Sequence, residues 1–70
     1  MTAAEINAAL DSGRTVYICT HLRCWKLTAK ARDQFRAAGQ ELVKEGRDGR
    51  PYMARGRHWD DIGYCAIKVV

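Results

Sequence analysis

TVYICTHLRCW, residues 15–25, decides the fold, because it predicts two strands joined by a tight turn. The segment RTVYICTH alternates and is rich in β-branched and aromatic residues, which is typical of a strand with one buried face. A turn near Leu22 and Arg23 then leads into LRCWKL as the second strand. Alternation divides the first strand into two faces, which are Val16, Ile18 and Thr20 against Tyr17, Cys19 and His21.

Two short helices are predicted, one on each side of this pair of strands. TAAE at residues 2–5 is a capping-box pattern, and Gly13 is a natural end for the helix that follows. Thr28 is a suitable N-cap for AKARDQFRAA, which Gly39 closes. The second helix has a narrow apolar stripe, which consists of Ala31, Phe35 and Ala38.

The C-terminal half predicts a meander of three strands. QELVKEG and PYMARG flank RDGR, in which Asp48-Gly49 is a strong hairpin signal. Pro51 indicates that its strand lies at a sheet edge or begins there, and DIGYCAIKVV forms the last strand. The sequence therefore predicts a single compact α+β domain over residues 1–70 with the order α-β-β-α-β-β-β. Its two short helices pack on one face of a mostly antiparallel sheet.

The length of 70 residues suits one domain with a thin stability margin. Hydrophobic residues make up 47% of the chain, which is enough for one core without a metal. A homodimer is a further way to add buried area. The N-terminal residues show neither a signal peptide nor a transmembrane pattern, so no membrane contact is expected. The odd cysteine count predicts free thiols and a reducing, cytoplasmic location.

Five residues raise the question of a metal or redox site: Cys19, His21, Cys24, His58 and Cys65. Zinc usually takes four ligands from paired short motifs, and this spacing offers no second close pair. A cysteine nucleophile needs an electropositive setting and a base, and the spacing does not establish either. We therefore interpret Cys19 and Cys65 as small buried side chains on neighbouring strands and expect no metal and no cofactor. A zinc-stabilised module is the alternative.

HWDD, residues 58–61, is the other cluster that could carry chemistry. Paired carboxylates beside a histidine can hold Mg²⁺ or Mn²⁺. Consecutive aspartates point in different directions on a strand, however, and more often mark a turn or cap, which we predict here. With no phosphate-binding glycine loop and no hydrolase motif, the sequence predicts no catalytic residues and a protein that is not an enzyme.

Four of the eight arginines follow a glycine, which favours their display at turns rather than along strands. Arginines with interleaved aromatic residues suit a protein interface, and equally suit phosphate contact and base stacking. We favour a protein interface, because neighbouring acidic side chains would repel phosphate. The alternatives are a small basic nucleic-acid-binding protein and a merely solvated hairpin. The predicted contact surface consists of Arg47, Arg50, Tyr52, Arg55, Arg57 and Trp59.

The net charge of +4 is unevenly distributed along the chain. Residues 14–39 hold six basic residues and one acidic residue, so the excess lies in the segment that contains the opening stretch. A basic surface often has an acidic or phosphate-bearing partner, and it also serves solubility. We predict a secondary basic patch here, consisting of Lys26, Lys30, Arg32 and Arg36.

In its general features the chain resembles small accessory proteins of phages and mobile elements, including the anti-CRISPR type. The stretches that carry the resemblance are LDSGRTVYICT, QFRAAGQELVKEGRDGRPYMARGRHWDD and YCAIKVV. The resemblance implies an inhibitor that acts inside a bacterial host cell. It would bind a host defence complex, such as a CRISPR-Cas effector, stoichiometrically. Many such proteins are acidic mimics of nucleic acid, whereas this chain is basic, which favours contact with an acidic protein patch or with nucleic acid held by the complex.

Overall fold

The computed structural model describes all residues 1–70 and confirms the α+β class and the order of the predicted elements. The structure contains one strand more than the sequence predicts, near the C-terminus. The elements are α1 (Ala3–Asp11), β1 (Val16–Cys19), β2 (Cys24–Leu27), α2 (Ala29–Ala37), β3 (Val43–Glu45), β4 (Pro51–Arg55), β5 (His58–Asp61) and β6 (Ala66–Val69).

Both helices begin and end as the sequence predicts. The Thr2 hydroxyl accepts from the Glu5 amide at 3.1 Å, and the Glu5 carboxylate accepts from the Thr2 amide at 2.8 Å, which completes the capping box. The Thr28 hydroxyl accepts from the Ala31 amide at 3.2 Å at the start of α2. Gly13 and Gly39 follow the two helices with φ of +82°, a conformation that glycine adopts without steric cost.

The six strands form two antiparallel sheets of three strands each. The first sheet has the order β2-β1-β6, and the second has the order β3-β4-β5. Within the first sheet Val16 and Ile18 are fully buried, which confirms the inward face predicted for β1. Thr20 and His21 lie beyond the end of this strand, so His21 belongs to the turn and not to a strand face.

The prediction of a turn or cap at HWDD was wrong, because these residues form β5. This strand pairs with β4 and places Trp59 opposite Ala54 and His58 opposite Arg55. Gly56, with φ of +58°, makes the turn between the two strands. The neighbouring aspartates are tolerated in a strand because each forms an ion pair with an arginine of the preceding hairpin.

The core lies where α1 contacts both sheets, through β1 and β3. Its residues come from every part of the chain: Ala3, Ile6, Leu10, Val16, Ile18, Leu27, Leu42, Val43, Met53 and Ile62. The Asn7 side-chain amide donates to the Val43 carbonyl at 3.3 Å, which fixes α1 against the second sheet. Pro51 is buried at the first residue of β4, the position that the sequence allowed for it.

Arg32 was predicted in a surface patch, but it is 5% exposed and therefore buried. Its guanidinium donates to the Asn7 carbonyl at 3.0 Å and forms an ion pair with Asp11 at 2.6 Å. A second carboxylate, that of Asp33, lies 3.3 Å away. Burial of this charge is possible because α1 supplies an anion and a backbone acceptor. Arg32 thus joins the two helices and is removed from the predicted patch.

The prediction that the thiols are free was wrong for two of the three cysteines. Cys19 and Cys24 form a disulfide, and Cys65 is the one free cysteine. The turn explains the pairing, because Cys19 and Cys24 are directly opposite one another in the β1–β2 register. Cys65 packs against the core but is only half-buried, and it lies just before β6. Cys19 is half-buried as well, so the prediction of two buried cysteines on neighbouring strands was wrong. Neither helix is long and apolar enough to cross a membrane.

Candidate binding site

The β1–β2 turn is fixed by hydrogen bonds as well as by the disulfide. The Thr20 amide donates to the Arg23 carbonyl at 2.8 Å. The Thr20 hydroxyl accepts from the amides of Leu22 and Arg23 at 3.2 and 3.3 Å. The Cys19–Cys24 bond closes the strand pair directly behind this turn. His21 and Leu22 are therefore held at the end of a rigid hairpin.

Two arginines lie over the ring of Trp25, which is half-buried on the inward face of β2. The guanidinium carbon of Arg23 is 5.6 Å from the ring centre, and that of Arg55 is 4.9 Å away. Arg55 comes from the second sheet and is also paired with Asp60 at 3.1 Å. Cation–π contact with an indole is favourable at these distances. Arg55 therefore connects the turn end of the β4–β5 hairpin to the turn end of the β1–β2 hairpin.

Two large apolar side chains next to this cluster are exposed to solvent. Leu22 at the turn is 82% exposed, and Tyr64, which lies just before Cys65 and β6, is 73% exposed. Together with Trp25 and the arginines they line a groove of about 410 Å³. We call this the hairpin-tip groove, and it is lined by Thr20, His21, Leu22, Arg23, Trp25, Arg55 and Tyr64.

A second concavity, of about 300 Å³, lies on the outward face of the second sheet. The Lys44 ammonium is 4.1 Å from the centre of the Trp59 ring. The Tyr52 hydroxyl donates to the Asp48 carboxylate at 2.7 Å, and the same carboxylate accepts from the Arg50 amide at 3.0 Å. Tyr52 and Asp48 are thus hydrogen-bonded to one another, and Lys44 lies against Trp59.

Hydrogen bonding shifts the acidity of both members of the Tyr52–Asp48 pair. The hydrogen bond from Tyr52, aided by the Arg50 amide, lowers the pKa of Asp48 below its ordinary value. The same bond raises the pKa of Tyr52. Any stability that the Asp48 shift contributes is present above the unfolded pKa and is lost as the pH falls through the folded one. The Tyr52 contribution is lost instead as the pH rises through its folded pKa.

The predicted arginine surface does not form one patch. Trp59 and Tyr52 lie on the outward face of the second sheet, whereas Arg55 is on the opposite face and reaches Trp25. Arg50 is held by Asp61, with 2.7 Å between Nε and a carboxylate oxygen. The remaining two predicted members, Arg47 and Arg57, are exposed and make no ion pair.

The secondary basic patch is also divided. Lys26 is exposed on the outward face of the first sheet, whereas Lys30 is exposed on α2. Arg36 is paired with Glu41 at 3.0 Å, so part of its charge is neutralised. With Arg32 buried, the patch has no continuous cationic surface.

The proposed metal ligands are not brought together. Nowhere in the molecule does a group of three or more His, Cys, Asp or Glu side chains lie in a metal-binding arrangement. The disulfide further removes Cys19 and Cys24 as thiolate ligands. Cys65 and His21 do line one concavity with Cys19, but His58 is on the second sheet.

Leu22 and Tyr64 were not identified from the sequence. Leu22 carried a usable signal, since an apolar residue inside a predicted turn cannot be buried by strand alternation. Tyr64 alternates in the predicted last strand with Cys65, which was predicted to be buried, and this was a second signal. Their proximity could not be inferred, because they are far apart in sequence and meet only through β1–β6 pairing.

Comparison of the chain with protein-family models, curated proteins and solved structures gives no match.

Proposed function

We propose that this chain is a non-enzymatic protein-binding module whose contact surface is the hairpin-tip groove. The observation that carries the proposal is the exposure of Leu22 and Tyr64, 82% and 73%, beside a tryptophan with two arginines over its ring. Protein interfaces are enriched in tyrosine, tryptophan and arginine, and these residues dominate binding energy. An exposed apolar anchor surrounded by them supports binding to another protein.

The rigidity of the hairpin supports the same function. Binding costs free energy when loops and side chains must be ordered, so a surface ordered in advance binds more tightly for the same contacts. Here the disulfide and the Thr20 hydrogen bonds order the turn, and the Trp25 ring orders Arg23 and Arg55. Burial of Leu22 alone against a partner would contribute about 1.5–3 kcal/mol.

The charge of the groove indicates the chemistry of the partner. Arg23 makes no ion pair, and Arg55 has one carboxylate beside it, so the groove is cationic at neutral pH. An acidic protein surface with an apolar pocket for Leu22 would be complementary to it. The resemblance to small phage proteins adds a biological partner to the proposal. That partner is a bacterial defence complex, such as a CRISPR-Cas effector, which the module would block by stoichiometric binding in the host cytoplasm. In that reducing compartment the Thr20 hydrogen bonds order the turn even when Cys19 and Cys24 are reduced.

Affinity capture with matched variants tests this proposal. The tagged protein, Leu22→Asp and Val70→Asp are used to capture partners from the bacterial host. Val70 is a suitable control because it is 72% exposed and lies at the end of β6 away from the turn. We expect one partner set to be captured at a fixed ratio by the parent and by Val70→Asp, and not by Leu22→Asp. Equal capture by all three would contradict the assignment of the groove.

A charge-reversed pair separates this surface from the one predicted from the sequence. Arg47 and Arg57 are exposed and unpaired, so Arg47→Glu/Arg57→Glu perturbs no ion pair of the fold. We expect this variant to retain the partner. Loss of the partner in this variant, with retention in Leu22→Asp, would assign binding to the arginine-bearing turns instead.

A further inference from the structure

The outward face of the first sheet carries a tyrosine between two lysines. Residues directly opposite one another in antiparallel strands lie on the same face. Tyr17 is opposite Lys26 on β2 and opposite Lys68 on β6. Both lysines are exposed, and Tyr17 is half-buried between them. The adjacent row of the same face holds the disulfide and Ala66, so this outward face has no acidic side chain along its paired rows.

The two lysines are also free of ion pairs elsewhere in the molecule. All five ion pairs involve arginines, and the acidic residues lie on the helices or on the second sheet and its loops. The outward face of the second sheet is different, because Tyr52 there is next to Asp61 and bonded to Asp48. The charge of the first sheet's outward face is therefore wholly positive.

We propose that this face, Tyr17 with Lys26 and Lys68, binds single-stranded nucleic acid. Neighbouring strands lie about 5 Å apart, so the two lysines and the tyrosine ring can reach one stretch of the same nucleic-acid strand. The lysines would contact successive stretches of the phosphate backbone, and the ring would stack on a base between them. This surface is distinct from the hairpin-tip groove, and the inference does not depend on the function proposed for that groove.

An unpaired strand fits this face better than a duplex does. An open sheet face with a central aromatic ring offers a stacking surface, and only an unstacked base has a free face to place on it. A duplex would use the lysines alone. Both single-stranded DNA and single-stranded RNA present the required chemistry, so both are included in the test.

Fluorescence anisotropy measures the binding directly. The full chain is titrated into labelled oligothymidylate and oligouridylate of about 12 nucleotides, at salt from about 50 to 300 mM. Each lysine–phosphate contact adds about 0.7 to the slope of log affinity against log salt on a single strand. We therefore expect Lys26→Gln/Lys68→Gln to lower that slope by about 1.4. At 50 mM salt the corresponding loss of affinity is about 60-fold.

Two further variants distinguish this face from general basicity. Lys30→Gln/Lys44→Gln removes the same charge from exposed lysines elsewhere, and we expect it to retain most of the affinity. Tyr17→Leu keeps an apolar residue at the same position, and we expect it to lower affinity by about 5-fold or more through loss of stacking.

Several results would overturn the inference: no binding of either oligonucleotide at 50 mM salt, equal losses in the two lysine pairs, or tighter binding of a duplex of equal charge. An NMR titration of the parent protein provides a reading that needs no variant. We expect the largest amide shifts at residues 17, 26 and 68, and shifts confined to other surfaces would refute the site. Binding of either DNA or RNA at these residues supports it.

Discussion

Removal of the Cys19–Cys24 disulfide tests the structural basis of the hairpin-tip groove. The bond closes a loop with a sequence separation of 5. In the chain-entropy model a loop of this length restricts the unfolded state by about 7 cal/mol/K, which is about 2 kcal/mol at 25 °C. In a domain of this size, 1 kcal/mol corresponds to about 4–8 °C in Tm. We therefore expect Cys19→Ser/Cys24→Ser to melt about 8–16 °C lower than the oxidised parent.

The assay combines mass spectrometry with thermal melting. Alkylation of the native protein, as purified without reductant, should modify one cysteine, Cys65, after unfolding and three after reduction. Cys65→Ser is the matched control, because it removes a thiol without removing the bond. Modification of all three cysteines without reduction, together with an unchanged Tm in the double variant, would refute the reasoning. The hydrogen bonds of Thr20 predict that the double variant still folds, since they close the same turn.

Three further predictions concern other parts of the fold. Arg32→Ala should lower the free energy of unfolding by about 2–4 kcal/mol, because it removes a charge-assisted hydrogen bond and buried packing. Arg36→Ala, at an exposed position, should lower it by less than about 1 kcal/mol. Chemical denaturation measures both values, and equal effects would contradict the burial of Arg32. Asp48→Asn should lower the pKa of Tyr52 toward its ordinary value, so that phenolate absorbance rises at a lower pH than in the parent. An unchanged titration would show that the hydrogen bond does not form in solution. Gly46→Ala should destabilise the protein by about 1–3 kcal/mol, because the added methyl would overlap the ring of Tyr52, and a Tm equal to that of the parent would contradict this packing.

Local features of the fold could be predicted from the sequence because short-range chemistry determines them. The capping box at Thr2, the helix end at Gly39 and the Asp48-Gly49 turn each depend on residues within a few positions of one another. The inward face of β1 could be predicted from alternation alone, because Val16 and Ile18 are apolar residues at alternating positions.

Features that depend on distant contacts could not be predicted. The burial of Arg32 requires Asp11 and the Asn7 carbonyl, which α1 supplies from across the fold. The strand at HWDD forms by pairing with β4, and arginines of the preceding hairpin neutralise its carboxylates. The division into two sheets could not be predicted, because each strand has the same pattern of apolar and polar residues in one sheet as in two.

The binding site lies between these two cases. The disulfide could have been predicted from the sequence, because a two-residue turn at His21 and Leu22 places Cys19 opposite Cys24. The cation–π contact of Arg55 with Trp25 was not, since it joins the two sheets. The predicted arginine cluster treated proximity in sequence as proximity in space, and strand alternation separates Arg55 from Tyr52 and Trp59.

The central claim is that the hairpin-tip groove binds a protein partner through Tyr64 and Leu22. Calorimetric titration of the captured partner with Tyr64→Ala and with the control Val70→Ala tests it most directly, because both side chains are more than 70% exposed and neither supports the core. We predict that Tyr64→Ala raises Kd by about 30-fold or more, as for an interface hot spot of at least 2 kcal/mol. Val70→Ala should change Kd by less than about 3-fold. Equal Kd values for the two variants would contradict the account.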